Sequence, residues 1–316
     1  MPKSEPCLDI QGLVKDLGPV EALDNKMVRV LAGVHLRAYP GEVTALLGPN
    51  GAGKTTTLAC AQGLLKPTGG TVRLLGQEPF QAGAQLRSRV GVMLQEGGLP
   101  QAVRPVPLLR HVAGMYSHPR NVDDLVERLG INTFANTPIR RLSGGQKQRV
   151  AMAAALVGNP EVLFLDEPSA GLDPQSRSVV FELIQELRRE GLGIILTTHL
   201  MDDAQRLADY VFIIDAGRTV LHGTVPELTA ATDTSAGVDR LLTFDAAPGL
   251  DFPPVAGLEV SESVPGRYSL SGPLGPVHLQ ALAAAWAEKS VMPSAIHMAP
   301  RSLEDVFLDI SGKELR

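Results

Sequence analysis

Residues 43–47, Val-Thr-Ala-Leu-Leu, run straight into Gly48, Pro49, Asn50, Gly51, Ala52, Gly53, Lys54, Thr55 and Thr56. A buried strand, a glycine-rich loop and a helix opening on lysine form the context of a phosphate-binding loop. The glycines let the main chain come close to anionic oxygens, so the amides of residues 50–56 point inward. The helix adds the positive end of its dipole. Lys54 has the reach to meet the β- and γ-phosphates of a nucleoside triphosphate, and the Thr55 hydroxyl suits a magnesium ion. Such a loop restricts the chain to folds in which strands alternate with helices around a largely parallel sheet.

The remaining pattern agrees. Residues 8–13 read as an edge strand, and residues 28–36 alternate about a turn at Ala32-Gly33. A helix is expected over 54–65, closed by Lys66-Pro67. Strands are expected at 72–75, 90–94, 162–165, 194–198 and 211–214, and helices at 122–129, 146–157 and 201–208. Val180, Leu183, Ile184 and Leu187 recur at i, i+3, i+4 and i+7, an amphipathic helix. Residues 96–119, rich in Pro and Gly, read as surface loops and short helices suited to contact with a partner.

The character changes at residues 229–238, whose Ala, Thr, Ser and Gly content reads as a linker. Short apolar segments follow at 241–244, 258–260 and 268–270. Two helical stripes come after them, one of Leu279, Leu282, Ala283 and Trp286 and one of Leu303, Val306, Phe307 and Ile310. The expected domains are residues 5–232 and a small α+β domain at 240–316.

Composition narrows the function classes. A hydrophobic share of 44% excludes wholesale disorder, and a net charge of −5 argues against a nucleic-acid surface or a polybasic membrane patch. Cys7 and Cys60 have no CxxC spacing, so neither a disulfide framework nor a zinc site is expected. The opening Met-Pro-Lys-Ser-Glu-Pro lacks the apolar core of a signal peptide. No run approaches the roughly 18–20 apolar residues that span a bilayer, so work at a membrane requires another chain to supply the membrane part.

The strand at 162–165 ends in Asp166-Glu167, two carboxylates at the strand end where open α/β sheets bind ligands. Asp166 is placed to hold a metal, and Glu167 to polarise an attacking water. In isolation, two adjacent acids are also compatible with solvated charge. His199 follows the strand at 194–198 and suits contact with the γ-phosphate and that water. Gln95 follows the strand at 90–94 and suits both the metal and the water. Leu142-Ser143-Gly144-Gly145-Gln146 precedes the helix at 146–157, placing a hydroxyl, bare amides and a dipole at one helix start.

In this order, these elements resemble the ATP-binding subunits of ABC transporters over residues 8–232, with Leu142–Gln146 matching the family's LSGGQ pentapeptide without a change. The resemblance implies a P-loop NTPase fold of the ABC type: a RecA-like core, an antiparallel β subdomain and a helical subdomain. It implies Mg²⁺-dependent ATP hydrolysis and a head-to-tail dimer with a second copy. Each ATP would lie between the phosphate loop of one copy and Ser143, Gly144, Gly145 and Gln146 of the other, with Asp173 linking the two sites. One position departs from the pattern: Leu17 stands where the family usually stacks an aromatic ring on adenine. The tail, Arg301-Ser-Leu-Glu-Asp-Val-Phe307, and the stretch Gly91-Val-Met-Leu-Gln95 resemble ABC-2 type drug-resistance and antibiotic exporters of actinobacterial kind. The implied function is ATP-driven efflux of a drug, antibiotic, lipid or similar amphipathic compound through a separate permease. It implies a peripheral position on the cytoplasmic face of the membrane and no nucleic-acid partner. The alternative is a soluble ABC ATPase acting in translation or DNA maintenance.

Overall fold

The computed structural model describes residues 5–20, 26–93, 98–229, 240–272, 274–300 and 302–313. It divides into two units, Met1–Thr224 and Val225–Arg316.

The first unit is built on a six-stranded sheet: β3 (Val43–Leu47), β5 (Val90–Met93), β6 (Val162–Asp166), β7 (Gly193–Thr198), β8 (Tyr210–Asp215) and β9 (Arg218–Thr224). Its order is β5-β6-β7-β3-β8-β9, parallel up to β8, with β9 returning antiparallel. Every residue of β3, β6 and β7 is buried. That is the reason they read as continuous apolar runs rather than alternating ones. Helix α1 (Lys54–Ala61) follows β3, and α6 (Pro174–Arg189) buries Val180, Phe181, Leu183, Ile184 and Leu187.

A separate antiparallel sheet of order β2-β1-β4 comprises β1 (Leu8–Val20), β2 (Lys26–Ala38) and β4 (Gly69–Leu74). Here two expectations are corrected. β1 is the middle strand, paired on both sides, so its apolar residues Leu8, Ile10 and Leu13 are core rather than edge. Ala32-Gly33 is not a turn: β2 runs through it, with Gly33 at φ +123° inside the strand. Helix α2 (Ala84–Arg87) precedes β5, and between β5 and β6 lie α3 (Pro105–Ala113), α4 (Val122–Arg128) and α5 (Gly144–Leu156). The helix after the phosphate loop stops at Ala61, four residues short of the expected end, because the chain turns at Gly63 with φ +74°.

The second unit holds α8 (Val225–Thr229), β10 (Arg240–Asp245), β11 (Val260–Val264), β12 (Arg267–Gly272), α9 (Pro276–Glu288), β13 (Ala295–Pro300) and α10 (Leu303–Lys313). Its sheet has order β11-β12-β10-β13, antiparallel throughout. Leu242, Phe244, Tyr268 and Leu270 pack with Leu282 and Ala285 of α9, and Phe244 stacks on Tyr268 with centroids 5.1 Å apart. In α9 the buried positions are Leu282 and Ala285, while Leu279 and Ala283 of the expected stripe are exposed. In α10, Leu303 and Val306 are buried and Phe307 is half-buried; the Ile310 side chain lies outside the described residues. The division falls at Thr224, so α8, expected in the first domain, groups with the second, where it packs on α10. The linker expected at 229–238 lies almost wholly outside the described residues. Helix α7 (Met201–Leu207) joins β7 to β8. Among the described residues no helix is long and apolar enough to cross a membrane.

Candidate functional site

Three neighbouring strands, β6, β7 and β3, end side by side, and each releases one part of the site. After β3 the chain folds down onto its surroundings at both ends of the glycine-rich loop. A Cβ on Gly48 would lie 2.3 Å from the Ile214 carbonyl oxygen, and one on Gly53, at φ +101°, 2.5 Å from Leu31 Cδ2. Glycine is the residue that fits there. Lys54 is buried and curls back over the loop, its Nζ donating to the carbonyls of Gly48 at 2.8 Å and Pro49 at 3.1 Å. Burial lowers its pKa, and the nearby Glu167 and Asp166 act the other way.

From the end of β6 come the two carboxylates. Asp166 is buried and accepts a hydrogen bond from the Thr197 hydroxyl on β7. Glu167 is also buried and sits at φ +53°, a conformation unusual for a residue with a side chain. Its N–H donates to the Thr197 carbonyl at 3.1 Å. From the end of β7 comes His199, whose Nδ1 lies 2.9 Å from Glu167 Oε2 and whose backbone N–H lies 3.4 Å from the same oxygen. In that contact Nδ1 carries the proton and Nε2 is left for a ligand.

These groups face one cleft of about 320 Å³, lined by Asn50, Gly51, Gly53, Lys54, Thr55 and Thr56, by Asp166, Glu167 and His199, and by Val30 of β2. The size suits a small-molecule site. Gly48 and Pro49 serve as acceptors for Lys54, and Ala52 is buried beneath the loop. The donor set fits a triphosphate with a hard divalent cation: amides and a buried ammonium for the phosphates, the Thr55 hydroxyl and Asp166 carboxylate for the ion. Gln95 lies outside the described residues. Leu17 is half-buried in β1 opposite Val28 and is not among the residues lining this cleft.

The pentapeptide stands apart. Ser143 caps α5 in a capping box, its Oγ accepting from the Gln146 N–H at 3.3 Å while Gln146 Oε1 accepts from the Ser143 N–H at 3.0 Å. Ser143 and Gly144 are exposed, Gly145 and Gln146 half-buried, and none of the four lines the cleft of its own chain. Asp173 caps α6 in a similar way, accepting from the Ser176 N–H at 3.0 Å and from its hydroxyl at 2.6 Å. The Ser176 hydroxyl and N–H hold its carboxyl below the usual carboxylate range.

Three further residues hold this assembly and escaped the sequence reading. Thr197 binds Asp166 and the Glu167 N–H; its one signal was its place beside His199 at a strand end. Gln148 Nε2 donates to the Glu167 carbonyl at 2.6 Å, tying α5 to the catalytic-side loop. Asp203 of α7 is buried, accepts from the Ser169 hydroxyl and pairs with Arg177 of α6. A buried acid is uncommon enough to mark a structural or functional role. From sequence, though, Asp202-Asp203 reads only as the acidic first turn of a helix.

Comparison with known proteins follows the same lines. The ABC transporter family model matches residues 31–170. Nod factor export ATP-binding protein I of Cupriavidus pinatubonensis (strain JMP 134 / LMG 1197) is 36% identical over 297 residues, 91% of this chain and 87% of that protein. Daunorubicin resistance ATP-binding protein DrrA3 of Streptomyces coeruleorubidus is 31% identical over 327 residues, 99% of this chain and 98% of that protein. Among solved structures, an ATP-binding subunit of an ABC transporter superimposes with a TM-score of 0.63 at 27% identity, covering 70% of this chain and 91% of that one.

Proposed function

The chain belongs to the ABC transporter family as an ATP-hydrolysing subunit, and on that premise we propose that it powers an ABC-2 type exporter by closing on ATP with a second copy of itself. The observation that carries this reading is the separation of the two half-sites. The cleft of one chain gathers Lys54, Asp166, Glu167 and His199, groups suited to one side of a triphosphate. The exposed Ser143–Gly144 helix start, with its positive dipole end, lies outside that cleft, and no acidic residue stands in its first turn. A head-to-tail pair supplies each half with the other.

In this reading the phosphate-loop amides and Lys54 bind the β- and γ-phosphates. Glu167 orients and polarises the attacking water, and the proton on His199 Nδ1 fixes the imidazole so that Nε2 faces the γ-phosphate. Thr55 and Asp166 would hold Mg²⁺, and Gln95, outside the described residues, is proposed as a further ligand from its place after β5 in the sequence; when bound, the ion neutralises phosphate charge. Ser143, Gly144 and Gly145 cap the γ-phosphate of the partner's ATP, and Asp173 meets the partner across the interface. Binding thus favours the closed dimer and hydrolysis reopens it, a two-state cycle that a permease can follow.

A separate, membrane-spanning ABC-2 type permease is the proposed partner, holding this chain at the cytoplasmic face of the membrane, with residues 96–116 the proposed contact. Relatives named for Nod factor export and daunorubicin resistance support efflux of a drug, antibiotic, lipid or similar amphipathic compound. They give no support to a soluble ATPase of translation or DNA maintenance. The test is Glu167→Gln with saturating ATP and Mg²⁺. Phosphate release should fall by about 10²-fold or more, and sedimentation should show ATP-dependent dimers. A variant that stays monomeric under those conditions, with the permease present, overturns the proposal.

A further inference from the structure

Helix α5 begins at the turn assigned above to a second copy's triphosphate, and its first two turns touch the segment from Glu167 to Leu172 at two points. Gly145, in the first turn, lies against Leu172: a Cβ there would come within 3.1 Å of Leu172 Cδ2, one residue before Asp173. Gln148 sends its Nε2 to the main-chain carbonyl of Glu167 at 2.6 Å. That carbonyl otherwise accepts from the Ala170 N–H at 3.2 Å, within its own loop. On the other side of the residue, the Glu167 N–H is fixed to β7 through Thr197. The residue between these two anchors is held at φ +53°, which a side-chain-bearing residue adopts only when its surroundings impose it.

We propose that Gln148 is a positioning residue, through which engagement of the Ser143 turn by one nucleotide sets the aim of Glu167 at the other. This rests on the head-to-tail reading. The geometry is short and stiff. From residue 143 to 148 a helix rises about 7.5 Å, all of it within one hydrogen-bonded rod that starts from a capping box. A shift of that rod by about 1 Å carries a 2.6 Å contact to the limit of hydrogen bonding. In the closed dimer, ATP in the first copy holds the second copy's Ser143 turn. The second copy's Gln148 then fixes the second copy's Glu167 over its own ATP. Hydrolysis at each site thereby depends on occupancy of the other.

The experiment is steady-state phosphate release against ATP concentration for the full chain and two variants. Gln148→Leu keeps the size and loses the donor; Gln148→Lys restores a donor of similar reach. Expected for Gln148→Leu is a turnover about tenfold lower, a KM within about twofold of the parent and a Hill coefficient reduced toward about 1. Gln148→Lys should recover about half the turnover or more. Thermal midpoint, and ATP-dependent dimers in the Glu167→Gln background, should be unchanged by Gln148→Leu. Full activity and cooperativity in Gln148→Leu overturn the proposal while leaving the dimer intact. Loss of dimers in the double variant overturns it too, since Gln148 would then serve association rather than aim. Absence of dimers in Glu167→Gln alone defeats the head-to-tail reading itself, a result distinct from either.

Discussion

Lys54 shows how much of the site rests on single side chains. Its ammonium is already bonded to two carbonyls of the loop it follows, so it is preorganised before any anion arrives. Lys54→Ala removes that charge and leaves two loop carbonyls without their donor. Affinity for a fluorescent ATP analogue should fall by about 10- to 100-fold, in line with loss of a charge-assisted contact; affinity within about threefold of the parent contradicts its placement. Lys54, Asp166, Glu167 and His199 were legible because each follows a strand in an order that chemistry requires. Thr197, Gln148 and Asp203 were not, because their partners lie 19 to 34 positions away along the chain and meet them through the sheet and helix packing. Cys7 gives a pH test at the same scale. Burial pushes its thiol from 9.0 up to about 12. Because the folded value lies above the unfolded one, its contribution to stability is complete below pH 9.0 and is lost as pH rises toward about 12. Urea midpoints from about pH 8 to about pH 11 should therefore decline more steeply in the parent than in Cys7→Ala. Equal slopes would exclude Cys7 as the source.

At the scale of elements, α5 carries two duties on one residue, and they can be separated. Ser143→Ala removes the cap and should cost about 1 kcal/mol of stability. Ser143→Asp keeps an acceptor at the N-cap but sets a carboxylate against the partner's γ-phosphate. It should match the parent in chemical denaturation yet lose ATP-dependent dimers in the Glu167→Gln background; dimers that survive would remove Ser143 from the interface. The buried cluster of Asp203, Ser169 and Arg177 joins α7, the loop after Glu167 and α6. Asp203→Ala strands a guanidinium that is largely covered, an effect of about 3 kcal/mol. A change under about 1 kcal/mol in urea unfolding would show that solvent already screens the pair. The buried strands of the parallel sheet and the amphipathic α6 could be read in advance, since burial on both faces or on one stripe leaves a periodicity. β1 was misplaced as an edge because pairing partners are set by residues 26–38 and 69–74, not by its own composition. β9 and β13 went unread. In β9, residues 218–222 alternate exposed and half-buried, which carries little apolar signal.

For the whole molecule, the division at Thr224 has a direct consequence. Every residue that lines the cleft, together with Ser143 and Asp173, lies in Met1–Thr224, and the second unit has its own sheet and its own aromatic core. A core of Phe244, Phe252 and Tyr268 with ring centroids 5.1 to 5.4 Å apart is self-contained packing rather than an extension of the nucleotide fold. The cut must respect α8, which packs on α10 and would be left with a bare apolar face, including buried Leu228, if it stayed with the first unit. A chain stopped after Thr224 should therefore bind the ATP analogue within about twofold of the full chain. One stopped after Thr229 should bind as well but carry exposed Leu228 and gain no stability. If the shorter chain loses nucleotide affinity by about tenfold or more while remaining folded by circular dichroism, the second unit is part of the nucleotide machinery, and independence of the two units fails as a description of how this chain works.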